Sequence, residues 1–209
     1  MPPKVVAVYA RRFEPQWLVD QLRENLSWVD GFAEVDDRGS MDPWFDHDEM
    51  NQRYLAALKE QKADWALVTA PDERWDRQAS AVIRKLSLDT REYRYMFRLR
   101  EMWTPMAYRV DGIWGSKQRV RMWPVDRYTD EFPIRLPARF KPIDIYHLKM
   151  IEPENRVRRA EVLTAAGRRQ SRGFDYLFDE TGLEVREIEP GSFTPSYRKY
   201  VFDPTTEGE

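Results

Sequence analysis

The sequence predicts an α/β fold, a single Rossmann-like three-layer domain on a mixed sheet with a parallel N-terminal half and antiparallel C-terminal additions. Through residue 90, short apolar runs alternate with helical apolar periodicity, which favours parallel strands joined by right-handed helical crossovers. From residue 91 the apolar pattern has period two and the links are short, which favours antiparallel pairing. A length of 209 residues and a hydrophobic content of 42% suit one domain with a sizeable core.

The first half, residues 1–90, is predicted as β-α-β-α-β-α. A helix that begins at Glu14-Pro15 follows the first strand. Asp46 and Glu49 have the spacing of a capping box for the second helix, which extends to about Lys62, and Asp76 caps the third. The three strands are short apolar runs at Lys4–Ala10, Phe32–Val35 and Trp65–Thr69.

Residues 91–166 are predicted to add mixed strands and one helix to the same domain, and residues 167–209 to form a C-terminal extension. A period-two strand at Tyr93–Arg100 precedes strands at Ala107–Val110 and Gln118–Trp123. Residues 125–142 contain several prolines and are predicted as a loop. The remaining elements are a strand at Ile143–Leu148, a helix from Glu152-Pro153 to about Ala166, and a short strand at Leu183–Ile188.

Composition and motifs exclude several classes of protein. The chain has no cysteine, which excludes disulfides, thiolate metal sites and a cysteine nucleophile. Its formal net charge of -2 gives no global attraction to nucleic acid or anionic lipid. No signal peptide or membrane-spanning stretch is recognisable, so the cytoplasm is the expected compartment. The motifs of Walker ATPases, dinucleotide enzymes and serine hydrolases are also missing.

Charged residues follow all three predicted parallel strands. Arg11 follows the first, Asp36 and Asp37 end the second, and Asp72 and Glu73 follow the third. The carboxyl ends of parallel strands share one edge of a sheet, where α/β proteins bind ligands, so we expect these side chains to form one site. The alternative is that Pro71-Asp72 belongs to an ordinary turn between a strand and a helix.

An anionic ligand and a divalent cation would suit this edge. Asp36 can accept hydrogen bonds from a nucleobase or ribose, and Asp72 can hold a divalent cation that also binds phosphate oxygens. Arg11 and Arg53 can neutralise a diphosphate. His147, which leaves a later strand, would complete an oxygen and nitrogen shell suited to manganese, although a lone histidine is more often structural.

Six motifs follow one another along the chain. They are Asn51-x-Arg53, Ala63-Asp64-Trp65, the run ending Pro71-Asp72-Glu73, then Asp111-Gly112-x-Trp114, the strand Arg119–Trp123 and Tyr146-His147-Leu148. In this order they resemble the donor-binding region and later strands of family 2-like glycosyltransferases of the GT-A fold, over residues 4 to 166. Ala70 departs from the pattern, since that family usually has an aspartate two residues before its metal-binding acid.

The resemblance implies a GT-A-like glycosyltransferase that moves a sugar from a nucleotide-diphosphate donor to an acceptor hydroxyl, with manganese or magnesium as cofactor. It implies that residues 1–90 bind the nucleotide sugar and residues 91–166 face the acceptor, which is a glycan, a protein or, less in keeping with the charge, a nucleic acid. The metal ligands implied are Asp72 and His147. The donor-binding residues implied are Tyr9, Arg11, Asp36, Asp37, Arg53, Pro71, Asp72 and Glu73.

A carboxylate is expected to deprotonate the acceptor hydroxyl. Asp111 is the candidate base because it lies on the acceptor side of the resemblance, and Glu101 is the alternative. Asp111-Gly112 is also ordinary β-turn chemistry. The competing function is a catalytically impaired GT-A-fold protein that binds a nucleotide or glycan as a partner subunit, with Ala70 marking the loss of activity. Donor, acceptor, stereochemistry and oligomeric state do not follow from the sequence.

Overall fold

The computed structural model describes residues 1–38, 47–127, 136–165, 177–178 and 180–201. Within these ranges the chain forms four α-helices and nine strands. The helices are α1 (Gln16–Asn25), α2 (His47–Glu60), α3 (Ala79–Ser87) and α4 (Pro153–Ala165). The strands are β1 (Val5–Arg11), β2 (Gly31–Asp36), β3 (Trp65–Val68), β4 (Glu73–Trp75), β5 (Arg94–Thr104), β6 (Ala107–Arg109), β7 (Gln118–Pro124), β8 (Ala138–His147) and β9 (Val185–Glu187).

The N-terminal half is a parallel unit centred on β1. Strand β1 pairs in parallel with β2, where Arg11 lies opposite Asp36, and with β3, where Val8 lies opposite Val68. The link from β1 to β2 contains α1, and the link from β2 to β3 contains α2. The carboxyl ends of all three strands therefore lie along one edge of the sheet, as the sequence predicted.

Side chains of β1 alternate between two apolar clusters on opposite faces of the sheet. Val5, Ala7 and Tyr9 pack with α1 and α3, while Val6 and Val8 pack with α2. All seven residues of β1 are buried, because helices cover both faces, and the sequence accordingly shows an uninterrupted apolar run. The three-layer arrangement and the α/β fold class are confirmed.

Strand β5 joins the parallel half to the later strands. It pairs antiparallel with β7, and its last residues pair antiparallel with β6. Strand β7 pairs antiparallel with β3, and β9, from the predicted C-terminal extension, pairs with β6. The order across the sheet is β2-β1-β3-β7-β5-β6-β9. The predicted antiparallel additions are confirmed, with β6 and β7 each paired to β5.

Strand β8 differs from the prediction in two ways. Residues 138–142, predicted as a loop, belong to the strand, and β8 runs parallel to β5. The register between these strands shifts over the segment that contains Pro142, so a residue without an N–H lies where the ladder is already irregular. The chain between β5 and β8 contains β6 and β7 and is long enough for a parallel return.

The three-residue strand β4 lies between β3 and α3, where the sequence predicted no strand. It pairs antiparallel with β8, with Glu73 opposite His147 and Trp75 opposite Ile145. Asn25, at the end of α1, supports it: the Trp75 N–H donates to Oδ1 at 2.7 Å, and Nδ2 donates to the Trp75 carbonyl at 3.0 Å. Three residues are too few to show the alternation of apolar and polar side chains that marks a strand. Local sequence pattern therefore could not predict β4.

The helix boundaries differ from the prediction by small amounts. Helix α3 begins at Ala79, and Asp76 accepts a hydrogen bond from the Gln78 N–H at 2.8 Å in the turn before it. Helix α2 ends at Glu60, and Asp46 of the predicted capping box lies outside the described residues. None of the described helices is both long and apolar enough to cross a membrane.

Candidate functional site

A cleft of about 570 Å³ opens at the carboxyl ends of β1 and β3. Ala10 comes from β1, residues 68–73 run from the end of β3 to the start of β4, and Tyr54 comes from α2. The far wall is formed by Leu99 of β5 and Val120 of β7. The cleft therefore lies at the edge of the sheet where the sequence placed the candidate site.

Basic side chains outnumber acidic ones in this cleft. The described lining residues include seven arginines and lysines against four carboxylates, whereas the whole chain has a formal net charge of -2. The cleft is therefore a local positive region that attracts anionic ligands. The carboxylates are Glu14, Asp72, Glu73 and Glu101, and the basic residues are Arg12, Arg94, Lys117, Arg119, Arg121, Lys149 and Arg159.

His147 lies between two buried carboxylates in the cleft. Its Nδ1 lies 2.6 Å from Oε2 of Glu101, and its Nε2 lies 3.3 Å from Oδ2 of Asp72. The side chains of Asp72 and Glu101 are only 6% and 5% exposed, so water screens the three charges weakly. Because both ring nitrogens face carboxylate oxygens, the doubly protonated imidazolium is the form that fits. We call Asp72, His147 and Glu101 the His147 array.

Burial opposes the charge on every member of the His147 array, but mutual attraction outweighs it. Burial would lower the pKa of His147, yet Glu101 and Asp72 raise it to about 9. Burial would raise the pKa of Asp72 and of Glu101, yet His147 holds both pKa values below their usual range. Lys117, in contact with Glu101, lowers the pKa of that carboxyl further. At neutral pH the array is therefore carboxylate, imidazolium, carboxylate.

The Glu73 side chain contacts the loop that contains Ala70. Its carboxylate pairs with Arg121 and also accepts hydrogen bonds from the Ala70 N–H at 3.1 Å and the Thr69 hydroxyl at 3.2 Å. Trp75 Nε1 donates to the same Thr69 hydroxyl at 3.2 Å. Strand β4 thus positions the Glu73 carboxylate against the backbone of the loop that follows β3.

The acids at the end of β2 are already neutralised by arginines. Asp37 is buried and accepts hydrogen bonds from Nε of Arg12 at 2.7 Å and Nη1 of Arg53 at 2.8 Å. Asp36 is exposed and pairs with Arg38 at 2.7 Å, which lowers the pKa of the Asp36 carboxyl. Both acids lie at the predicted edge, but the structure does not place either of them, or Arg53, among the residues that line the cleft.

Tyr9 and Arg11, two predicted donor-binding residues, lie on the α1 side of the sheet. The Tyr9 ring is fully buried, its hydroxyl donates to Glu34 at 3.0 Å, and Arg23 donates to it at 2.8 Å. Arg11 donates to the Glu14 carbonyl and to Gln16, near the start of α1. Neither side chain lines the cleft, because successive residues of a strand point to opposite faces and Ala10 and Arg12 take the cleft side.

Of the two predicted bases, the structure brings only Glu101 to the cleft. Asp111 accepts hydrogen bonds from Arg109 at 2.9 and 2.5 Å, and Arg109 lowers the pKa of the Asp111 carboxyl. Asp111 is not among the residues that line the cleft, so its role as a base stays a prediction. Pro71, Asp72, Glu73, Glu101 and His147 do line the cleft.

Several basic lining residues were missed as site residues. Arg119 and Arg121 alternate along β7, and Lys117 directly precedes that strand. In the sequence they are ordinary charged residues of a half-exposed strand. They reach the cleft because β7 lies between β3 and β5 in the sheet. Local sequence pattern does not predict this long-range pairing.

The predicted metal ligands do not fit a divalent cation in this arrangement. A metal-binding histidine offers a lone pair from one ring nitrogen, but both ring nitrogens of His147 already face carboxylate oxygens. Glu101 and Glu73 are additionally paired with Lys117 and Arg121. Within the part of the chain that the structure describes, no group of three or more histidine, aspartate or glutamate side chains is arranged to hold a metal ion.

Comparison with known proteins gives no matching family and no matching curated sequence. Two solved structures of S. aureus TarS are similar to this chain. The structure of TarS 1-349 has a TM-score of 0.39 at 10% identity, covering 85% of this chain and 73% of that one. The second TarS structure has a TM-score of 0.39 at 12% identity, covering 85% of this chain and 42% of that one. Likeness at this level does not identify an activity.

Proposed function

We propose that the cleft binds a nucleotide-diphosphate sugar and that the protein is a glycosyltransferase acting on an acceptor hydroxyl. The observation that carries this proposal is the excess of basic over acidic side chains in the cleft of a chain whose net charge is -2. Arginines and lysines are the side chains that bind phosphate oxygens by charge-assisted hydrogen bonds. The cleft volume of about 570 Å³ suits a ligand of this size.

The paired cations of the cleft are held in place before a ligand arrives. Glu73 holds Arg121, and Glu101 holds Lys117. Positive groups that are already oriented stabilise charge that develops on a departing diphosphate without reorganising during the reaction. Arg119, which is exposed at the cleft, supplies a further guanidinium for phosphate oxygens.

Transfer would break the bond between the anomeric carbon and the phosphate oxygen, and the electron pair would leave with the diphosphate. The acceptor oxygen would form the new bond to that carbon while its proton moves to a carboxylate. Glu101 is the predicted base that lines the cleft, but its lowered pKa weakens it as a proton acceptor. Asp72, whose pKa is lowered by His147, has the same weakness.

That weakness favours a second candidate function, a protein that binds a nucleotide sugar without transferring the sugar. His147 pairs with both Asp72 and Glu101, so neither of these carboxylates is free to act as a base. The two candidates share the donor and differ only in turnover. They are separated by whether nucleotide diphosphate is released after binding.

The test is a thermal-shift screen of nucleotide-diphosphate sugars, followed by a measurement of nucleotide release. Binding of one donor should raise the midpoint of unfolding by an amount that grows with its concentration. Arg119→Gln should weaken that binding by about tenfold, as expected for a lost hydrogen bond to a charged group. Arg38→Gln, which removes an exposed guanidinium outside the cleft lining, is the matched control.

If no donor stabilises the protein, both candidates are contradicted. Stabilisation by a donor with no nucleotide release, in the presence of a varied set of acceptors, would support the binding protein. Stabilisation with release would support the glycosyltransferase.

A further inference from the structure

Each of three carboxylates in the cleft faces a cation supplied by the chain itself. Asp72 faces His147, Glu101 faces His147 and Lys117, and Glu73 faces Arg121. These are the acids that an oxygen-coordinated divalent cation would use, since Asp72 and Glu73 follow β3 and Glu101 lies beside them in β5. The contacts among them leave His147 with no nitrogen directed away from a carboxylate.

We propose that this cleft binds a diphosphate without a divalent cation, because His147, Lys117 and Arg121 occupy the carboxylates that would otherwise hold the metal. The diphosphate in this statement rests on the proposed function. The exclusion of the metal rests only on the ion pairs of the cleft.

Binding of a metal ion in this cleft would have a large unfavourable free energy, because existing ion pairs would have to break. Asp72 and Glu101 each face a ring nitrogen of His147, so a metal bound to them would have to displace the imidazole from both carboxylates. Lys117 and Arg121 would have to separate from Glu101 and Glu73, leaving charges without partners in a cleft where both glutamates are nearly fully buried.

The basic side chains of the cleft can neutralise phosphate charge, as a bound divalent cation would. A divalent cation contributes two positive charges to the phosphates it binds. The described lining has three more arginines and lysines than carboxylates. A diphosphate can therefore be neutralised by side chains alone.

The first test measures manganese binding to the protein without nucleotide, by electron paramagnetic resonance of free Mn²⁺. The wild-type chain should show no site in the cleft. His147→Gln keeps a side chain of similar length, removes the shared cation and supplies an amide oxygen, so this variant should acquire a manganese site that raises its midpoint of unfolding.

Two further variants make the manganese result decisive. Arg38→Gln releases the exposed Asp36 in the same way and should acquire no site, because a single carboxylate is not a metal shell. If His147→Gln does not fold, the comparison of the wild type with Asp72→Asn decides the inference by itself. Manganese binding by the wild type that is lost in Asp72→Asn would overturn the inference.

The second test measures binding of inorganic pyrophosphate by calorimetry, once with EDTA and once with excess Mn²⁺. The dissociation constant should change by less than about threefold between the two conditions, whereas a tightening of about tenfold or more with manganese would overturn the inference. Failure of pyrophosphate and of every nucleotide sugar to bind would count against the proposed function, and the manganese titration would still decide whether the cleft excludes a metal.

Discussion

His147 lies opposite Glu101 in the parallel pairing of β8 with β5, and opposite Glu73 in the antiparallel pairing of β8 with β4. The backbone register of two different ladders therefore brings one imidazole between the acids of the cleft. Its Nδ1 lies 2.6 Å from Glu101, and strands hold such positions more rigidly than loops do. The electrostatic centre of the site is thus set by strand register.

Replacing His147 should destabilise the fold. His147→Gln leaves Asp72 and Glu101 close together and buried without their shared cation, and removal of one partner of a buried ion pair costs about 3 kcal/mol or more. Urea denaturation measures the change. Arg38→Gln breaks an exposed pair and should change the free energy of unfolding by less than about 0.5 kcal/mol. Equal stabilities for the two variants would show that the array does not stabilise the fold.

The His147 array should give stability a defined pH dependence. The pKa of His147 is about 9 in the folded chain, above the value of about 6.5 expected when unfolded, so its contribution is complete below about pH 6.5 and is lost as pH rises through about 9. Asp72 and Glu101 have lowered pKa values, so their contribution is present above about pH 4 and is lost as pH falls.

Urea denaturation at a series of pH values measures this dependence. The wild type should lose stability on the alkaline side before other groups titrate, and His147→Gln should lack that loss. If the free energy of unfolding fell by the same amount at alkaline pH in both proteins, the loss would be due to groups other than His147.

Variants of Glu101 and Asp111 should differ in their rate of sugar transfer if Glu101 is the base. Because Glu101 lines the cleft, Glu101→Gln should reduce transfer by about 100-fold or more, while Asp111→Asn should leave it nearly unchanged. Nucleotide binding, measured in parallel, should survive in Asp111→Asn, and thermal unfolding checks that each variant is folded. Glu101→Gln also releases Lys117, so its transfer rate is compared with that of the wild type at saturating donor. A large loss of transfer in Asp111→Asn alone would restore Asp111 as the base.

Asn25 should matter for stability although it lies outside the cleft lining. Asn25→Ala would leave the buried N–H and carbonyl of Trp75 without their partners, at a cost of about 2 kcal/mol. Gln52→Ala, at an exposed position of α2, is the control and should change stability by less than about 0.5 kcal/mol. Thermal or urea unfolding measures both, and equal values would show that β4 does not depend on this contact.

Local sequence pattern was sufficient to predict those strands and helices whose burial follows from the order of their own apolar and polar residues. The uninterrupted apolar runs of β1 and β3 mark strands covered on both faces, and the spacing of Leu18 and Leu22 marks α1. Since parallel strands share one edge, the same patterns predicted that Asp72 would lie at a binding edge of the sheet. These inferences use contacts within one element or between neighbouring elements.

Residues 63–75 identify a buried strand followed by two acids, and the pattern of the other two parallel strands predicted that these acids lie at the edge of a sheet. Long-range pairing decided what those acids do. His147 and Glu101 meet through the parallel return of β8, and Arg121 reaches Glu73 because β7 lies between β3 and β5. These partners are 46 and 48 residues apart in the chain, a separation at which side-chain spacing carries no signal. Only the tertiary fold could show that the predicted metal ligands are an ion-paired array.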